Sequence, residues 1–281
     1  MNNSHPPGHN ADDFGEKHSK HLFGNMLRFY PTSQRSSDAL ALILHGFNMK
    51  PEKMGCVIDL LGTLSISSLL VGFAGHRGDK AQNMSQENWR NDFLRGFCFA
   101  ARLARLQNKS LYVVGHSMGC LIAARGLIDL QQQNQLPSLL RGCIYLAPAH
   151  GLRTIWQKPM IPVGKAVAKT LQGHLPLLGI LFGRSDAVHK DLYQNGLEAL
   201  QSYVQEAQTL RNVCCPVPTL VLADPTDPLI GFGKLQELSE KVHWNLVKLP
   251  PGGLLPHMCI FPSHRGWPQI CENIRNFVAA T

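Results

Sequence analysis

A serine hydroxyl becomes a useful nucleophile only when it is lifted clear of the backbone around it and held next to a base. Ser117 has the sequence setting for this. It stands in Gly115-His116-Ser117-Met118-Gly119, between an apolar, β-branched run ending at Gly115 and the residues Met118, Leu121, Ala124 and Ile128 at helical spacing. A strained strand-to-helix turn would do the lifting. Gly115 and Gly119 leave room where a Cβ would meet the neighbouring strand and helix, and the new helix aims its first N–H groups at a reacting carbonyl. The pentapeptide has little weight alone; the strand–turn–helix context supplies it.

Such a serine needs donors for the developing oxyanion, a base and a group that orients the base. In a parallel sheet all of these converge at the C-terminal ends of strands. Leu44-His45-Gly46-Phe47 directly follows an apolar strand-like run, so the Phe47 N–H, with the Met118 N–H as its partner, is the expected oxyanion hole. For the acid, Asp224-Pro225-Thr226-Asp227-Pro228 follows the run Thr219 to Ala223. Asp227 has the length of loop needed to bend toward a base and is preferred, while Asp224, nearer the strand end, suits turn capping. For the base, His257 lies in the loop after the last strand-like run, and His264 shares that connection. His257 is nearer the strand and is preferred; spacing alone leaves His264 in contention. His45, Gly46, His116 and His76 (in Gly75-His76-Arg77-Gly78) are expected to shape the substrate pocket rather than to react.

These loops need a sheet to carry them. Ala39 to His45 is a continuous apolar run, as expected of a strand buried on both faces. Further strands are expected at Met26 to Tyr30, Ser65 to Phe73, the run ending at Gly115, Gly142 to Leu146, Pro218 to Ala223 and Trp244 to Leu249. Between them come helical stripes: Met54, Val57, Ile58 and Leu61 after Pro51; Trp89, Phe93, Phe97, Ala100 and Ala104; and Ile270, Ile274, Phe277 and Val278 near the end. Strands alternating with amphipathic helices predict an α/β fold, a mostly parallel central sheet with helices on both faces. The strandless span 151–212 is too long for a simple crossover and reads as a helical cap insertion. The core is then 23–150 and 213–281. Asp59 and Asp92 are expected to be solvated on their helices.

With 44% hydrophobic and 16% charged residues the chain has the composition of a soluble globular protein. Residues 1–22 are polar, without the apolar stretch of a signal peptide, and read as a disordered leader. The apolar stretch 175–183 is too short to span a bilayer, so the expected location is cytoplasmic. The eight cysteines fall mostly in regular elements and include no Cys-x-x-Cys, which reads as reduced thiols and no zinc. No metal or cofactor is implied. The net charge of +8 is scattered, with no Lys/Arg run and no nucleic-acid module; it reads first as a solvated basic surface and second as attraction to an anionic membrane surface or an acidic substrate, which charge alone does not separate.

Taken together, Leu-His-Gly-Phe at 44–47, Gly-His-Arg-Gly at 75–78, Gly-His-Ser-Met-Gly at 115–119, Asp-Pro-Thr-Asp-Pro at 224–228 and the loop bearing His257 make the chain resemble an α/β-hydrolase. Within that superfamily it is similar to the branch of lysophospholipases, monoacylglycerol lipases, carboxylesterases and serine aminopeptidases. The resemblance runs from about Arg28 to the C-terminus, and implies an eight-stranded sheet, a Ser-Asp-His triad and a cap domain at the inserted position. Two features depart from the family pattern. Leu254-Leu255-Pro256 separates the last strand's Gly-Gly from His257, and Asp224 replaces a glycine usual before the acid. Between 151 and 190 the residues are largely apolar and basic, which suits a lipid-like ester: a lysophospholipid, a monoacylglycerol or a medium-chain carboxylester. The competing readings are an aminopeptidase or acyltransferase on the same triad, and a non-catalytic binding module.

Overall fold

The computed structural model describes residues 20–22, 24–32, 38–152, 194–209, 217–253 and 256–281. Its centre is an eight-stranded sheet of order β1-β2-β4-β3-β5-β6-β7-β8. The strands are β1 (Lys20–Leu22), β2 (Leu27–Tyr30), β3 (Ala39–Leu44), β4 (Ile66–Val71), β5 (Ser110–His116), β6 (Leu140–Leu146), β7 (Thr219–Ala223) and β8 (Asn245–Lys248). β1 and β2 are antiparallel, and the six strands from β4 to β8 run parallel. Every residue of β3 is buried, which is why its sequence is one unbroken apolar run rather than an alternation.

Helices cover both faces. On one face α1 (Gly55–Thr63) and α6 (Trp267–Ala280) bury Val57, Leu61, Ile270 and Ile274 against Ile43, Val114 and Ile144. On the other, α2 (Gln86–Leu106), α3 (Met118–Gln132) and α5 (Phe232–Val242) cover Leu42, Val113 and Tyr145. The α2 stripe of Trp89, Phe93, Phe97, Ala100 and Ala104 is buried as its spacing predicts. Ser85 caps that helix by accepting from the Asn88 N–H at 3.0 Å.

Two expectations change. Asp92 is buried, not solvated: its carboxylate accepts from the Ala74 N–H at 2.8 Å and from Arg77 Nη1 at 3.0 Å, holding the loop after β4 against α2. Burial still pushes its carboxyl above the ordinary range. The expected leader is shorter, because Lys20–Leu22 add a strand beside β2; residues 1–19 lie outside the described residues. Of the expected cap, the described residues are Gly151, Leu152 and the helix α4 (Gln194–Thr209); 153–193 and 210–212 lie outside them. α4 is tied down firmly. Asn195 Nδ2 donates to the Ala81, Gln82 and Met84 carbonyls at 3.1, 3.0 and 2.9 Å, and the Tyr203 ring stacks on Trp89 at 6.4 Å.

The strand order reverses between β3 and β5, so their C-terminal ends flank the crevice where such sheets bind ligands. Leu44 pairs with Gly115, and the turn after β3 therefore lies beside the turn that begins α3.

α3 and α2 meet at Gly126, where a Cβ would fall 2.1 Å from Phe93 Cε1. Gly126→Ala should therefore destabilise by about 1–3 kcal/mol through overpacking, despite the better helix former. Gly62→Ala in α1 has open space and should be neutral or stabilising. Urea midpoints measure both; equal effects would contradict this packing.

Candidate active site

Ser117 joins β5 to α3 with φ 51° and ψ −113°, a backbone region that side-chain-bearing residues rarely enter. Close packing holds it there. A Cβ at Gly119 would lie 2.5 Å from the Leu44 carbonyl oxygen, and one at Gly115 would lie 2.9 Å from the Cys120 nitrogen. Both flanking glycines are thus required sterically, and α3 starts hard against the end of β3. The Ser117 N–H donates to the Leu146 carbonyl at 3.0 Å, and its own carbonyl accepts from the Ala149 N–H at 3.2 Å. The turn is fixed on both sides, and the side chain projects into the crevice.

The hydroxyl has a partner there. Ser117 Oγ lies 3.0 Å from His257 Nε2, and His257 Nδ1 lies 2.7 Å from Asp227 Oδ2. The other Asp227 oxygen accepts from the Leu229 and Ile230 N–H groups at 2.8 and 3.3 Å. Burial by itself would raise the Asp227 carboxyl, but the neighbouring His257 and these donors hold it below its ordinary value. An ionised Asp227 keeps the His257 proton on Nδ1, leaving the Nε2 lone pair for the serine hydroxyl. This is a buried relay able to take a proton from Ser117 and keep the resulting imidazolium paired.

Phe47 follows Gly46 in the turn after β3, and Met118 is the first residue of α3, a position whose N–H has no partner within a helix. A Cβ at Gly46 would lie 2.8 Å from His116 Nδ1 and 3.3 Å from Ser117 Cβ, so this glycine lets the two turns close together. Behind them stands a group of rings. Phe47 meets His76 and Trp89 edge-on at 6.0 and 6.1 Å, and Gly196 of α4 comes so near that a Cβ would lie 3.2 Å from Phe47 Cε2.

Of the four expected pocket-shaping residues, Gly46 and His116 lie beside Ser117, and all three histidines bond backbone. His45 is buried, with Nδ1 donating to the Gly46 carbonyl at 2.8 Å and Nε2 accepting from the Phe73 N–H at 3.1 Å. His76 Nε2 accepts from the Asn48 N–H at 3.0 Å. His116 Nε2 donates to the carbonyl of His257 itself at 3.0 Å, a contact that its place beside the serine gave no reason to expect. The two remaining contenders pair with each other: His264 Nε2 lies 3.2 Å from Asp224 Oδ2. Among the described residues no cluster of His, Cys, Asp or Glu could hold a metal ion.

The chain belongs to the alpha/beta hydrolase family, whose model matches residues 41–265. No curated protein sequence matches it. Solved structures share its fold. A soluble variant of the monoglyceride lipase from Saccharomyces cerevisiae, in complex with a substrate analogue, is 13% identical, with 93% of each chain covered and a TM-score of 0.71. A highly thermostable carboxyl esterase from Bacillus coagulans, in complex with glycerol, is 15% identical over 93% of this chain and 97% of that one, at 0.67. The Paleococcus ferrophilus monoacylglycerol lipase is 15% identical over 91% and 98%, at 0.64.

Burial holds two histidines neutral: His116, where the charge of His257 adds to the effect, and His150, which sits between Tyr145 and Trp244 with ring centroids 6.1 and 5.1 Å away. Both are pushed down to about 3, whereas in the unfolded chain they would titrate near 6.5. Below that value the unfolded state binds more protons, so stability should fall as pH drops from about 6.5 toward 4. Urea midpoints across this range should decline, and His150→Phe should make the decline shallower. A flat profile would show that these histidines are not held neutral.

Proposed function

We propose that the protein is a serine hydrolase of carboxylic esters, with Ser117 as nucleophile, His257 as general base and acid, and Asp227 orienting His257. The observation that carries this reading is the continuous relay of 2.7 and 3.0 Å from Asp227 through His257 to a serine on a strained turn. Ser117 Oγ attacks the ester carbonyl carbon while His257 Nε2 takes its proton. The negative charge that develops on the carbonyl oxygen is received by the Phe47 and Met118 N–H groups, each of which is worth about 3 kcal/mol of barrier. As the tetrahedral centre collapses, His257 gives its proton to the departing alkoxide, and the acyl group stays on Ser117. Water then enters, loses a proton to His257, and attacks the acyl carbonyl to release the acid. Asp227 stays ionised throughout and stabilises the imidazolium in both halves.

The substrate reading is a lipid-like ester, a monoacylglycerol, lysophospholipid or medium-chain carboxylester, beneath a cap formed by 151–212. Its support is threefold. The segment 151–190 is apolar and basic in sequence; α4 packs against Phe47 beside the proposed oxyanion hole; and fold relatives include monoglyceride lipases. Basic cap residues such as Lys165 and Lys169 suit peripheral contact with an anionic membrane surface. Among the described residues no helix is long and apolar enough to cross a membrane.

Hydrolysis of a series of p-nitrophenyl esters tests both parts. Ser117→Ala and His257→Ala should each lower kcat by up to about 10⁶, and Asp227→Asn by about 10⁴, in protein that still folds. Wild-type activity in Ser117→Ala would end the serine-hydrolase reading. With longer acyl chains kcat/KM should rise, each buried CH₂ contributing up to about 0.8 kcal/mol until the pocket is full. A maximum at acetate, or a preference for aminoacyl amides, would instead indicate a small-ester esterase or an aminopeptidase.

A further inference from the structure

A second His–Asp pair stands beside the first and shares both of its loops. Asp224 is fully buried, and a buried carboxylate is costly unless its lone pairs are filled. Here they are filled from two directions. Oδ1 accepts from the N–H and the hydroxyl of Thr226, both at 2.7 Å, and Oδ2 accepts from the Gly252 N–H. Thr226 belongs to the turn that carries Asp227, and Gly252 to the loop that carries His257. One carboxylate therefore bonds the two segments whose separation sets the 2.7 Å contact between His257 and Asp227.

His264 closes the back of this arrangement. Its Nδ1 accepts from the Gly266 N–H at 3.0 Å, which leaves the proton on Nε2, directed toward Asp224 Oδ2 at 3.2 Å but too obliquely for a hydrogen bond. The ring lies so close to Gly252 that a Cβ there would come within 2.1 Å of Nε2. His264 thus fills the space that a side chain at 252 would need.

The base loop leaves the sheet at Leu249, whose N–H donates to the Ala223 carbonyl at 2.9 Å. Between that bond and His257, the bond from Gly252 to Asp224 joins the base loop to the acid turn. The His257 carbonyl is held separately by His116. We propose that Asp224 is a positioning residue: its carboxylate pins the base loop at Gly252 to the acid turn at Thr226, and so sets the alignment of His257 with Asp227 and Ser117. It touches no reacting atom. The proposal rests on the serine-hydrolase reading above.

Asp224→Asn tests it. An amide has one acceptor oxygen, so whichever way it turns, an NH₂ group meets the donors of either Gly252 or Thr226. Turnover of a p-nitrophenyl ester is measured per active site titrated with a fluorophosphonate, which removes misfolded protein from the count, and the rate of acylation by the same probe is measured alongside. Misalignment of the base should lower kcat and the probe's acylation rate together, by about 10- to 100-fold, with KM within about twofold of wild type. If Asp224→Asn fails to fold, Gly252→Ala carries the same expectation, since its methyl group must displace His264 or the Gly252 N–H while the bonds to Thr226 remain. A variant that melts at lower temperature but turns over each titrated site at the wild-type rate, or loses only in KM, overturns the positioning role and leaves the hydrolase reading intact. Wild-type protein inert to both ester and probe overturns the hydrolase reading and the proposal with it.

Discussion

The rest of the site depends on how closely the start of α3 approaches the end of β3. The Gly119 Cα lies so near the Leu44 and His45 carbonyls that a Cβ would lie 2.5 and 2.7 Å from them, so α3 begins tight against the end of β3. Ser117 must then take φ 51°, and a strained backbone of this kind costs about 1–3 kcal/mol unless its surroundings enforce it. Here the end of β6 and the turn after it enforce it, Leu146 accepting from the Ser117 N–H and Ala149 donating to the Ser117 carbonyl. The same closeness sets the Gly46–Phe47 turn beside the turn that begins α3, where a Cβ at Gly46 would lie 3.3 Å from Ser117 Cβ. The position of Ser117 and that of the Gly46–Phe47 turn thus follow from one packing contact rather than from two independently built loops.

Asp227 and His257 reach this turn from the other half of the sheet, on loops that leave β7 and β8. Loops of that length wander unless their polar groups are bound, and here the bonds are buried and directional: Asp227 to two backbone N–H groups of its own turn, Asp224 across to Gly252, and His116 to the His257 carbonyl. Most of the buried ionisable groups in this region therefore hold backbone. His45 and His76 do the same on the oxyanion side, where they brace the turns after β3 and β4. The crevice is surrounded by histidines, yet among the described residues only His257 has its ring nitrogens on side chains of the serine and an acid.

Much of the fold was legible because burial on both faces leaves a plain record. The unbroken apolar run of β3, the α2 stripe and the glycines around Ser117 each have one physical cause, and each can be read locally. What escaped depends on partners remote in sequence. β1 is three residues in a polar stretch and exists as a strand only through β2. Asp92 looked solvated because nothing near it in sequence reveals Arg77 or the Ala74 N–H. α5 buries Leu235, Leu238 and Val242, a stripe too short to single out among its charged neighbours. Asp224 and Asp227 differ little as letters in a turn. What distinguishes them is which donors surround each carboxylate, and those come from Gly252 and from the residues after Pro228. His257 and His264 likewise differ in their partners, the Gly266 N–H occupying Nδ1 of the second ring.

The central claim is that this geometry makes one serine, among the many in the chain, unusually nucleophilic. The direct measurement is peptide mapping by mass spectrometry after brief exposure of the native protein to a fluorophosphonate. The account predicts a single covalent adduct, on Oγ of Ser117, absent when the protein is first unfolded in urea because the relay to His257 and Asp227 is then lost. No adduct on the native protein, an adduct on a different residue, or equal labelling of native and unfolded chains would contradict it.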